Sequence, residues 1–321
     1  MRHVPALGRA VPVLLVALLL GLAVLLRPVP APAAAATARA ALPRLLAPGT
    51  PPLYLDWSWL LPSRPVPYRP STESACADGS DRCIEATIAT MRRRLDALGR
   101  RCDHDAVFAL AYLRVTEEVR RAVRAGAYAD RRWINHQDAV FAQRYFRTYA
   151  NWHEGHRDRV PRAWRIAFAA ADDRSVSGLG DFVLSMNAHI NRDMPFVLAG
   201  IGLTAPDGRS HKPDHDVFNR RLAALYVPVL REIAARFDPT ADDLDAGPLD
   251  DAAAAALLQT WREVVWRNAE ALSLARGPAE RARVAARIET YAETQGVILR
   301  ALLGSSGSAA RDAWCAAHGR G

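Results

Sequence analysis

Residues 178–222 read GLGDFVLSMNAHINRDMPFVLAGIGLTAPDGRSHKPDHDVFNRRL, and this stretch decides the fold. From Phe182, the residues Met186, His189, Asp193 and Val197 follow at steps of four, three, four and four. Those steps keep to one face of a 3.6-residue helix. The apolar members turn that face toward a core, so His189 and Asp193 go inside with them. A buried imidazole and carboxylate one turn apart must be hydrogen-bonded, paired or metal-bound, because apolar surroundings penalise an unpaired charge. Pro195 lacks an N–H and crowds the carbonyl four residues back, so the helix is expected to bend or break there. Pro206-Asp207-Gly208 reads as a turn.

The helical period continues on both sides. Helices are expected at about 84–98, 105–124, 137–152, 178–203, 214–237, 251–275 and 278–303. Pro161 opens a shorter one through 171, and another follows the Gly/Ser connector at 304–308. No run of alternating strand residues occurs. The fold class is therefore all-α, a single helical bundle of about eight or nine helices. Residues 76–303 form its helical domain, and 304–321 hold a flexible connector and a short C-terminal helix.

Residues 1–40 read as a secretory signal peptide. Arg2, His3 and Arg9 precede an apolar run of 16 residues from Val11 to Leu26, and Ala38-Arg39-Ala40 fits a cleavage site. A spanning helix needs roughly 20 residues, so export is expected, with a membrane contact only if this segment is retained as an anchor. Residues 41–75 are proline-rich yet carry Leu53, Tyr54, Trp57, Trp59 and Leu60. Linkers lack such apolar weight, so an extended arm lying on the bundle is expected. The four cysteines, Cys76, Cys83, Cys102 and Cys315, allow three pairings. An even count behind an export signal implies disulfides. The expected pairs are Cys76–Cys83, closing a local loop, and Cys102–Cys315, stapling the C-terminal helix to the body. No CxxC pair is present, so metal ligation by these thiols is not expected.

The net charge is +8, from 42 basic and 34 acidic residues, and Lys212 is the single lysine. The two signs are well mixed, with no long basic run or aromatic–basic alternation, so no nucleic-acid partner is expected. Neither a GxSxG elbow nor a Gly-rich phosphate loop occurs.

The candidate chemistry is spread over four segments. DHDAVFALAYLR at 103–114 echoes NHQDAVFAQRYFR at 135–147, and DHDVF at 214–218 is a shorter echo. His104 precedes Phe108 by four residues, Asp138 precedes Phe141 by three, and His215 precedes Phe218 by three. Each can share the face of its phenylalanine. His104, His136, Asp138, His189, Asp193 and His215 are thus candidate metal ligands, and such N/O donors suit Zn2+ or another divalent transition metal. Asp216 is the candidate general base or orienting partner. An open position on the metal would make hydroxide for hydrolysis of a phosphoester or ester in a small-molecule or lipid substrate. Taken singly, the same residues read as caps and hydrogen-bonded core groups, with Asp103 or Asp105, and Asp214, at helix starts. That alternative gives a non-catalytic cell-envelope protein whose polar core fixes the packing and whose arm or surface binds a partner. Two further histidines, at 153 and 156, are expected on an exposed loop.

CDHDAVFALAYLRVT, NHQDAVFAQRYF, GDFVLSMNAHINRDMPFVLAGIGL and PDGRSHKPDHDVFN together resemble the DUF5995 family, found mainly in actinobacteria. The resemblance covers roughly residues 76–240 and implies no activity. Locally, His189-x-x-x-Asp193 ahead of Pro195 is similar to the His-x-x-x-Asp helix of the zinc-dependent phospholipase C and P1 nuclease group. That group is all-α, exported and trinuclear in zinc, which implies zinc at His189 and Asp193. Phe196, Val197 and Leu198 stand where the group has a further histidine, and its N-terminal tryptophan ligand has no clear counterpart here.

Overall fold

The computed structural model describes residues 54–241, 248–304 and 307–318. The signal reading at 1–40, the start of the arm and part of the Gly/Ser connector lie outside these residues. Helix starts follow their caps. Ser80 accepts from the Cys83 N–H and opens α1, Asp81–Arg100. Helix α2 spans Ala106–Arg124. Asp130 accepts from the Trp133 N–H and opens α3, Arg131–His153. That start precedes the expected one by six residues because Arg131 and Arg132 carry no apolar period. Pro161 stands just before α4, Arg162–Asp172, and Ser177 caps α5, Gly178–Asn187. Helix α6 is Met194–Ile201, α7 Lys212–Arg236, α8 Pro248–Leu274, α9 Pro278–Leu303 and α10 Ala309–His318. Among the described residues there is no strand, and a lone Thr204–Ser210 bridge closes the turn at 206–208.

Between α5 and α6 the chain stays helical but changes register. Ala188–Asp193 is a π-helical segment, with the Met194 N–H reaching the His189 carbonyl. The expected break at Pro195 is thus a shift ahead of it. Proline cannot donate to the Asn191 carbonyl, so the ordinary ladder is interrupted here, and the chain enters this point through the wider i→i+5 register. Helices α5 and α6 run through the π segment as one rod at the centre of the bundle. The π segment packs against α3, α4, α8 and α9, while α5 meets α2. The core around it is apolar, with Trp164, Phe168, Leu184, Leu198 and Ile233 almost fully buried.

The described part of the arm is extended apart from a turn at Ser58–Leu60, and polar groups of the body hold it. Helix α8 supplies Gln259 to Asp56 (3.2 Å), Arg267 to the Leu61 and Pro62 carbonyls, and Glu270 to the Arg64 N–H (2.7 Å). The Lys212 ammonium reaches the Ser58 carbonyl (3.3 Å), and Thr204 the Val66 carbonyl (2.6 Å). Gly202 sits where the arm passes, at φ +91°. A Cβ there would stand 2.8 Å from the Arg69 carbonyl oxygen. Only glycine meets both demands.

The cysteines pair as expected, Cys76 with Cys83 and Cys102 with Cys315. The second pair spans 213 residues and fixes α10 to the start of α2, where Arg311 is wholly buried. A cross-link removes more denatured-state entropy when it closes a longer loop. Replacing Cys102 and Cys315 by serine should therefore cost about 3 kcal/mol more than replacing Cys76 and Cys83. Urea denaturation of the two double variants without reductant checks this.

Candidate functional site

His189 and Asp193 lie on the π segment, one turn apart, and are brought together: His189 Nδ1 meets Asp193 Oδ2 at 3.2 Å. Asp193 has no exposed surface. Its oxygens also accept from Trp164 Nε1 (2.7 Å) and Arg192 Nη1 (2.9 Å). Burial pushes its carboxyl up, but the His189 hydrogen bond and the Arg192 charge outweigh burial and hold it below the usual range. Burial pushes the His189 imidazole down, against its bond to Asp193. At neutral pH the pair is a carboxylate accepting from a neutral imidazole, whose Nε2 keeps a free lone pair. Such a nitrogen is a base oriented by an acid. It has no hydrogen-bond partner, and the ring is enclosed. Phe141 stacks on it at 3.4 Å between centroids, and Phe108, Tyr112, Tyr145 and Trp164 stand around it.

The other expected ligands do not join this pair. His104 lies between two acids, with Nδ1 at 3.0 Å from Asp181 and Nε2 at 3.2 Å from Asp312. Asp181 also accepts from Arg311 at 3.2 Å. This cluster ties α10 to α5. His136 uses both nitrogens on the arm, meeting the Ala75 carbonyl and the Ser71 hydroxyl, each at 2.7 Å. His215 Nε2 meets the Arg262 carbonyl at 3.2 Å, tying α7 to α8. Among the described residues, the group of three ligand-type side chains with converging atoms is Cys76, Asp78 and Cys83, whose sulfurs are a disulfide. Among the described residues, the ligand atoms of the six candidates therefore do not converge on one point. Helical spacing put these groups on apolar faces, but the helices aim them at different neighbours.

Asp138 and Asp216 occupy two further places. Asp138 is buried between α2 and α3 with Oδ2 unpartnered. Burial pushes its carboxyl up to about 7, with only the Thr116 side chain acting against it. The Tyr112 hydroxyl is likewise buried and unpartnered. Asp216 makes no hydrogen bond or ion pair with the His189 pair among the described contacts of either. It borders a cleft of about 570 Å³ between the arm, α2 and α7, and it accepts from Lys212 at 2.6 Å. Burial pushes its carboxyl up, against the pull of Lys212.

Two helix-start readings also change. Asp105 does not cap α2 with its side chain but accepts from His153 Nε2 at 2.9 Å, and His153 is exposed as expected but ends α3 rather than standing on a loop. Asp103 accepts from the Asp105 N–H at 3.0 Å, and Asp214 accepts from the N–H groups of Ala129 and Asp130. Sequence reading passed over Arg262, Arg311 and Glu270, all buried. A signal existed for one: Arg262, Glu263 and Arg267 interrupt an otherwise apolar helix beside Trp261 and Trp266.

The chain matches the model of DUF5995, a family of unknown function, over residues 84–302. No curated protein and no solved structure matches it.

The raised Asp138 group has a consequence for stability. Unfolded, the carboxyl ionises near its ordinary 3.8, whereas folded it holds its proton to about 7. The native state is therefore penalised as pH rises from 4, and the penalty levels off above 7. At about 1.4 kcal/mol per unit, the full penalty is on the order of 4 kcal/mol. Asp138→Asn should leave stability nearly unchanged at pH 4 and raise it by a few kcal/mol at pH 8. Chemical denaturation of both proteins across this range checks the sign.

Proposed function

This chain belongs to the DUF5995 family, and we propose that it is a non-catalytic helical protein of the exported space. Its buried imidazole–carboxylate groups lock helices and arm together, and its surface binds a partner. One observation carries this reading: His104, His136 and His215 each meet a separate element, and both ring nitrogens of His104 and His136, with Nε2 of His215, are spent on packing. Two disulfides and no free cysteine among the described residues support an oxidising compartment. Polar groups buried this way are costly to break singly, which gives them a part in fixing a unique packing.

The second reading, a metal-dependent hydrolase, is favoured by the unpartnered His189 Nε2 and Asp138 Oδ2. The likeness to the phospholipase C and P1 nuclease helix rests on His189 and Asp193 alone. The six candidate ligands do not fit one ion, since no three of them offer converging atoms among the described residues.

Elemental analysis of protein purified without chelator separates the two. Substoichiometric transition metal is expected, with a melting temperature that neither EDTA nor added zinc moves. A full equivalent of metal, lost to EDTA together with several degrees of melting temperature, would overturn the non-catalytic reading.

A further inference from the structure

The cleft beside Asp216 carries charges that the protein itself leaves unmatched. Its lining holds five charged residues, Asp56, Glu118, Asp216, Arg220 and Arg221. Glu118 is paired with Arg121 and, at 2.7 Å, with Arg221. Asp216 is paired with Lys212 at 2.6 Å. Two charges remain. Asp56 on the arm meets only neutral donors, the Ser58 hydroxyl at 2.6 Å, the Ser58 N–H and Gln259. Arg220 on α7 has no ion pair among the described residues, and its guanidinium lies 5.2 Å from the centre of the Tyr54 ring. Burial raises the Tyr54 phenol most, the Asp56 charge adds to it and the Arg220 charge opposes it, so both charges act on this ring.

The rest of the wall is apolar: Ala127, Val217, Ala224 and Leu225. A volume of about 570 Å³ falls inside the range of small-molecule sites.

We infer that this cleft binds a small zwitterion, an apolar amino acid or dipeptide with both termini free. Its ammonium meets Asp56. Its carboxylate meets Arg220. Its side chains lie on Val217, Ala224 and Leu225. A plain anion would leave Asp56 unmatched and repelling, and a plain cation would do the same to Arg220. A zwitterion completes both without changing the net charge. The arm supplies Asp56, so its docking on α8 completes the site. The inference rests on the non-catalytic reading, because it completes a binding site and calls for no reaction.

Calorimetric titration of the full chain with leucyl-leucine tests it, beside N-acetyl-leucyl-leucine and leucyl-leucinamide. One saturable site is expected, with each blocked peptide roughly tenfold weaker, as befits loss of a hydrogen bond to a charged group. Arg220→Gln should abolish the preference for a free carboxylate over the amide. Asp56→Asn should abolish the preference for a free amine over the acetyl group. Both side chains are exposed, so both variants should melt like the parent protein. Absence of binding by leucyl-leucine, equal binding of the blocked peptides, or unchanged preferences in both variants would overturn the inference. The dipeptide should be recovered intact after incubation. Its cleavage would sink the non-catalytic reading while leaving the site in place.

Discussion

The Asp193 carboxylate is a full charge with no exposed surface at the centre of the bundle. Desolvating such an ion costs several kcal/mol unless donors surround it. Here three side chains do so, from His189, Trp164 and Arg192. Hydrogen bonds to a charged group are worth roughly 1.5–3 kcal/mol each, so three of them are of the size needed to hold the ion in place. Each donor constrains an element. Trp164 locks α4 onto the rod, and Arg192 carries the link outward to Glu289 on α9 at 2.6 Å. The π register is where Asp193 and His189 meet, next to the proline that disrupts the ordinary ladder.

Away from that centre, the molecule repeats one device. A buried polar side chain bridges two elements that the hydrophobic core alone would hold without fixed register. His104 and Arg311 act between α10 and α5, beside the long-range disulfide. His136 and Glu270 act on the arm, and His215 with Arg262 joins α7 to α8. Arg262 is buried with neutral acceptors, the Asn219 side chain and the His215 carbonyl. Burial pushes its guanidinium down to about 10, still well above neutral pH, so it stays charged. The single lysine follows the same pattern, held between Asp216 and Glu263 rather than offered to solvent.

Much of this fold was legible in the chain. Helical periodicity placed the helices to within a few residues, because amphipathic faces are a local property. His189 and Asp193 were read as neighbours from spacing alone, and they are. The start of α3 was missed because two arginines hide its first turn. The change of register before Pro195 was read as a bend, since sequence shows the missing N–H but not how the helix re-pairs around it.

The sequence by itself determined the helical class, the burial of the imidazole and carboxylate groups, and the cysteines as a disulfide set. These follow from residue type and from spacing along one helix. Only the tertiary structure decided which groups meet. His104, Asp138, His189 and His215 all face inward, yet the crossing of their helices sends them to different surroundings. The arm was expected on the body, but its role as a wall of the Asp216 cleft depends on contacts across about 200 residues of chain. Spacing along a helix fixes a face. The rotation and depth of each helix against its neighbours, set by the packed core as a whole, fix where that face points.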